Sequence, residues 1–166
     1  MRASRYALVW TIATVAGLTS VARAGELTGK MSLFNHLAGR VLTCTTNVPA
    51  MNGRMQHSDQ STATFDIAAG NVIHTRIAGS DYAGDFYIGY DERRGKYWQT
   101  AADSLGMHGY LESTDAITYT GTSSIGPNGM ADTITYGAIG SDSTTAREVL
   151  SGHGVQTVFE TVCRPA

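Results

Sequence analysis

The stretch GDFYIGYDERRGKYWQTAADS, residues 84–104, decides how the rest of the chain is read. Its first half alternates. Phe86, Ile88 and Tyr90 fall on one side of a strand, and Asp85, Tyr87 and Gly89 on the other, because successive strand side chains point to opposite faces. Tyr82 extends the apolar side by the same period of two. The run ERRG then reads as a turn, and KYWQTAAD (96–103) as a second strand. Phe86, Ile88, Tyr90 and Trp98 are expected to face inward. That face is either plain core or the wall of a cavity.

The same text repeats outward from this hairpin. Strand-like segments occupy 40–48, 60–68, 72–79, 82–91, 96–103, 106–113, 116–123, 130–139, 145–151 and 155–164. Turn signals such as Asn52-Gly53 and Gly70-Asn71 separate them at short, even spacing, as in antiparallel all-β proteins. No helix long enough for a parallel crossover lies between them. Leu33, Phe34 and Leu37 suit one helical turn that Gly39 can end. Gly84, Gly89, Gly106, Gly109, Gly121 and Gly137 sit inside strand-like runs. Such glycines mark the bulges and bends of a curved sheet, so the expected fold is a closed up-and-down antiparallel barrel rather than a sandwich. In a barrel of about eight strands the interior is either just filled or holds one small ligand.

Residues 1–24 read as a leader. Arg2 and Arg5 precede an apolar run over 6–18, and Ala22-Arg23-Ala24 has the small-x-small form of a signal-peptidase site. The run is short for a membrane span, so residues 25–166 are expected to form one exported domain, periplasmic or extracellular, without a span. Loss of Arg2, Arg5 and Arg23 changes 12 basic against 14 acidic residues into 9 against 14, or −5. A mildly acidic chain without a Lys/Arg cluster is poorly suited to nucleic acid or to anionic membrane surfaces. Cys44 and Cys163, the two cysteines, most simply form one disulfide in an exported chain. Two buried thiols or a metal pair are the alternatives.

Chemistry-bearing motifs are sparse. The histidines, His36, His57, His74, His108 and His153, form no HExxH or HxH pattern. Met51, Met55 and His57 have the soft donors that suit Cu(I), but a short Met-containing loop is ordinarily only a loop. There is no GxSxG. Asp85, Asp103, Glu112 and His108 would make an acid–base set only if the fold brought them within reach. Asp91 and Asp103 suit turn closure. An outer-membrane barrel would need lipid-facing apolar bands, whereas Asp85, Gln99, Asp103, Thr118 and Thr120 are expected on the face opposite the apolar one. No catalytic residue, metal site or cofactor is expected.

Two stretches carry a resemblance. FNHLAGRVLTC (34–44) looks like the entry of calycin-type barrels, where a short helix leads to Gly-x-Trp; here Gly39-Arg40-Val41 stands in that place. Residues 84–113 resemble secreted bacterial lipocalin-like barrels of a family of unknown function, through Gly89-Tyr90-Asp91, the pair Tyr97-Trp98, and Asp103-Ser104. The resemblance implies a barrel with an internal cavity and no particular chemistry. It also implies that the first and last strands are neighbours, which would bring Cys44 and Cys163 into bonding range. A related haem-binding barrel would need a late-strand histidine, and His153 lies between two glycines in a turn. The expected function is therefore non-enzymatic binding of a small apolar molecule. The expected lining is Tyr82, Phe86, Ile88, Tyr90, Trp98, Tyr110 and Tyr119, with Ile117 beside them. A structural or partner-binding envelope protein is the rival reading, and an enzyme with a barrel-cavity site the third.

Overall fold

A computed structural model of the chain describes residues 25–50, 55–124, 129–137 and 143–166. The expected leader, the Asn52-Gly53 turn and Met51 lie outside these residues. The ten strands are β1 (Val41–Val48), β2 (His57–Ala68), β3 (Val72–Gly79), β4 (Ala83–Asp91), β5 (Lys96–Asp103), β6 (His108–Ser113), β7 (Thr118–Ser123), β8 (Met130–Tyr136), β9 (Thr144–Gly152) and β10 (Val155–Pro165). Each pairs antiparallel with the next, and β10 returns to β1, so the sheet closes into an up-and-down barrel. Ten strands enclose a wider interior than eight, because barrel diameter grows with strand number.

Closure places Cys44 directly opposite Cys163. The two form a buried disulfide with Cα atoms 4.0 Å apart. It joins the first strand to the last and so staples the seam at which the barrel shuts.

One end of the barrel is plugged. A 3₁₀ helix, Gly29–Phe34, begins before the turn expected over 33–37. Its entry is fixed by Asn35, whose Oδ1 accepts from Leu27 N at 2.8 Å and whose Nδ2 donates to Leu27 O at 2.9 Å. Thr28 N donates to Asn71 Oδ1 at 2.8 Å, tying the helix to the β2–β3 turn. These bonds drive Leu27, Met31 and Phe34 into the barrel end, each under 5% exposed. There they join Leu42, Phe65, Ile73, Ile88, Tyr97, Leu111, Tyr119 and Ile134 in one apolar cluster. The Phe34 ring meets Tyr97 edge-on at 6.3 Å, and Tyr97 meets Tyr90 at 4.8 Å.

The far end is different. Along β2 the buried positions run Asp59, Ser61, Ala63, Phe65 from the far end toward the plug. Polarity thus rises away from the helix, and the chain builds a cup with an apolar floor and a polar upper wall.

Tyr119 tests how tightly the floor is filled. It is 0% exposed and its hydroxyl has no hydrogen-bond partner, an arrangement that costs about 1–3 kcal/mol when a polar group is buried alone. Tyr119→Phe is expected to leave stability unchanged or raise it. Tyr119→Ala should lower it by about 3–5 kcal/mol through the cavity left behind. Urea midpoints of the two variants check this; a Phe variant clearly weaker than the parent would contradict it.

Candidate functional site

Register decides which side chains enter the barrel. Tyr90 lies opposite Tyr97, Ile88 opposite Gln99, Phe86 opposite Ala101 and Gly84 opposite Asp103. Directly opposed residues of an antiparallel pair share a face. The inner wall of this hairpin is therefore Tyr82, Gly84, Phe86, Ile88 and Tyr90 facing Tyr97, Gln99, Ala101 and Asp103. Gly84 is required there: an added Cβ would sit 3.0 Å from the Tyr82 hydroxyl and 3.3 Å from Asp103 Cβ.

This register corrects the expectation for five residues. Trp98 lies on the outer wall, its indole covering Gly89, which has no room for a Cβ beneath it. Tyr110 and Ile117 are also outside, 48% and 41% exposed. Gln99 and Asp103, expected outside, are inside, and Gln99 is 0% exposed. The reason is the turn. Adjacent aromatics Tyr97-Trp98 carry no phase of their own, and the turn over Glu92, Arg93, Arg94 and Gly95 sets Asp91 opposite Lys96. Tyr97 then inherits the face of Tyr90. Of the other expected lining residues, Ile88 and Tyr119 are buried in the floor, Tyr90 is half-buried against it beside Tyr97, and Tyr82 and Phe86 are half-buried above it.

Across the middle of the lumen the Tyr136 hydroxyl donates to Gln99 Oε1 at 2.8 Å. This bond links β8 to β5, with β6 and β7 between them in the sheet, and forms a crossbar over the floor. Around and beyond it stand three carboxyls that belong to different strands. Asp103 closes the β5–β6 turn as expected, its Oδ1 accepting from Leu105 N at 2.9 Å and Met107 N at 2.8 Å. Its buried Oδ2 has no partner in hydrogen-bonding geometry, although the Tyr82 hydroxyl is its near neighbour. Asp132 is 3% exposed; Ser123 Oγ donates to its Oδ2, and its Oδ1 has no partner. Glu148, opposite Phe159 on β10 and Ile134 on β8, completes the set.

The electrostatics follow from this enclosure. Burial, then the charges of Asp132 and Asp103, push the Glu148 carboxyl up to about 8. Burial raises Asp132 as well, partly opposed by the Ser123 hydroxyl. The Tyr82 phenol is raised by burial first and then by Asp103 and Glu148. The basic groups pair on the outer wall instead: Arg76 with Asp85 at 3.2 Å, Lys96 with Glu112 at 2.9 Å and Arg94 with the same Glu112, and Arg147 with Glu160 at 3.9 Å.

The acid–base set weighed from sequence is not assembled. Asp85 is outside, bonded to His74 Nε2 at 2.7 Å, and His74 stacks on Tyr87. Its carboxyl is pulled below the usual range by His74 and then by Arg76. Glu112 is outside with Lys96 and Arg94, and His108 is exposed with its Nδ1 2.7 Å from Ser124 Oγ. Only Asp103 enters the lumen. Met55 is 84% exposed, and His57 lies 3.3 Å from Asp81 Oδ2 at the far rim. His153 is exposed in the β9–β10 turn with φ of 52°. Among the described residues no three metal-ligating side chains converge.

Sequence reading missed Asp132, Tyr136 and Glu148. The signal was a strand face that mixes acids with apolar residues: Asp132, Ile134 and Tyr136 on β8, and Ala146, Glu148 and Leu150 on β9.

These groups are not all fully covered. Tyr82, Tyr136 and Glu148 lie deep enough that burial is the largest influence on their titration, yet each keeps accessible surface. Phe86 and Phe159 also point inward and are only half-buried. Two recesses at the far rim, of about 370 Å³ and about 550 Å³, are lined from both faces of the wall: Arg76, Asp85 and Ser104 with Gly84 and Asp103 in the first, and His108, Tyr110 and Thr122 with Gly109 and Ser123 in the second.

Fold and site together define a closed ten-stranded antiparallel barrel, compatible with the calycin class, plugged at one end and carrying carboxyls in its lumen. No protein-family model and no curated protein matches the chain.

Proposed function

We propose that this protein is an exported, non-enzymatic, lipocalin-like barrel that holds one small molecule, largely apolar, in the far half of its lumen. The observation that supports this most is a group of inward-facing side chains, Tyr82, Phe86, Tyr136, Glu148 and Phe159, that stay only half-buried in a closed ten-stranded barrel. The apolar floor would receive the ligand's body, and the helix plug would keep it from passing through. A buried disulfide suits an oxidising compartment, and the leader-like residues 1–24 agree with export to the periplasm or the exterior. A structural or partner-binding role is the rival, favoured by Tyr87 and Tyr110, which are 36% and 48% exposed on the outer wall.

Titration with an environment-sensitive apolar dye tests the reading. Saturable binding of one dye per chain is expected. Trp98 emission should stay unchanged, because the indole is outside. Phe86→Ala should shift dye affinity while costing less than the roughly 3–5 kcal/mol of a Phe removed from a filled core. No saturable binding, together with the full core penalty, would favour the rival.

A further inference from the structure

We propose that the polar end of the lumen is a recognition site for a protonated amine carried on the ligand, contacted by Asp103, Asp132 and Glu148. The inference rests on the ligand-binding reading above and adds the chemistry of the head group.

Three observations carry it. The first is the orphan atoms. Asp132, 3% exposed, directs a buried carboxylate oxygen at no donor, and Asp103 Oδ2 has only the Tyr82 hydroxyl beside it. Buried acceptors of this kind are nearly always satisfied, and what would satisfy them here is a donor from outside the chain. Gln99 Nε2, 0% exposed beside the crossbar, is likewise unpartnered, so the same head can present an acceptor to it, as an amino alcohol or amino ether does. The second is sign. The carboxyls of β5, β8 and β9 and the phenols of Tyr82 and Tyr136 face one another, and no positive charge is among the influences on Asp132 or Glu148. A cation entering this group relieves repulsion that an anion would worsen. The third is spacing. The carboxyls do not converge as a metal shell, so the charge they suit is spread over an organic head with several N–H donors rather than held on one small ion.

Binding would also move a proton. Glu148, neutral through burial and through Asp132 and Asp103, would give up its proton to solvent as the ammonium takes its place as counter-charge, leaving a carboxylate–ammonium pair. Nothing else changes covalently.

Calorimetry with four eight-carbon probes on the disulfide-intact mature chain tests this: octylamine, octyltrimethylammonium, octanol and octanoate. Octylamine, charged at neutral pH like a lysine side chain, is expected to bind at least about tenfold tighter than octanol or octanoate, a gap of ~1.4 kcal/mol. The trimethyl analogue should fall between, since it has charge but no N–H. Octylamine heats should depend on the buffer's ionisation enthalpy in the sense of proton release. Asp132→Asn should shrink the amine's advantage over octanol. If that variant does not fold, Glu148→Gln carries the same test and should abolish the proton release. Octanol or octanoate binding as tightly as the amine would overturn the amine site while the lumen reading stood. Saturable heat from calcium chloride alone would overturn it in favour of a metal. Failure of all four probes would remove both readings.

Discussion

Removing the Cys44–Cys163 bridge, by reduction or as the Cys44→Ala/Cys163→Ala pair, is expected to cost about 4–5 kcal/mol of stability. The bridge closes a sequence separation of 119 residues, and constraint of the unfolded chain grows with loop length. Its position adds to the effect. β1 and β10 meet only because the barrel closes, so their pairing is the longest-range contact of the sheet and the most expensive in chain entropy. The rest of the barrel is a meander of neighbouring hairpins. Urea unfolding of oxidised and reduced protein measures the difference. A loss below about 1 kcal/mol, near the worth of a single ordinary hydrogen bond, would mean that the ladder alone holds the seam.

The second large effect is in pH. Glu148 is neutral in the folded protein up to about 8, against an ordinary 4.5 in the unfolded chain. Below 4.5 both states hold the proton and the group imposes no penalty. Between 4.5 and 8 the unfolded chain ionises while the folded one does not, so stability falls as pH rises. Above 8 both are ionised and the loss is complete, a few kcal/mol in size by linkage. The exposed carboxyls work the other way. Asp85, Glu112 and Asp115 are held below their usual range, by His74, Lys96 and the Thr118 backbone N–H respectively as the largest influences. Their contribution is present above the unfolded values of about 4 and is lost as acid protonates them. Maximum stability is therefore expected at mildly acidic pH, with decline toward pH 8. Glu148→Gln should flatten that decline and leave the acid limb unchanged. Thermal melts across the range check both limbs; a parallel alkaline decline in parent and variant would contradict the assignment.

The fold was legible because its signals are local. Ten runs with a period of two, short turns and no crossover helix leave few alternatives to an antiparallel closed sheet. The disulfide was legible because only two cysteines exist. The site was only partly legible, because facing depends on register, and register depends on turn geometry rather than on composition. Tyr82, Phe86, Ile88 and Tyr90 could be assigned from alternation within one strand. Trp98 and Tyr110 could not, since each sits beside another candidate, Tyr97 and Leu111, that takes the inner place. Gln99 and Asp103 were read as outer-wall residues because they are polar, yet a lumen with a polar half needs such groups inside. Glu148 and Asp132 matter only together with Asp103, from strands far apart in the chain, and no single segment shows that meeting.

The central claim is that the far half of the lumen accepts a small molecule. Side-chain NMR of the mature protein during titration with octylamine tests it most directly. Saturable shifts are predicted for the rings of Tyr82, Phe86, Tyr136 and Phe159 and for the Glu148 carboxyl, with the Trp98 indole and the Tyr110 ring unmoved. Shifts confined to Trp98, Tyr87 and Tyr110, with the inner rings silent at saturation, would place the binding surface on the outer wall and contradict the account.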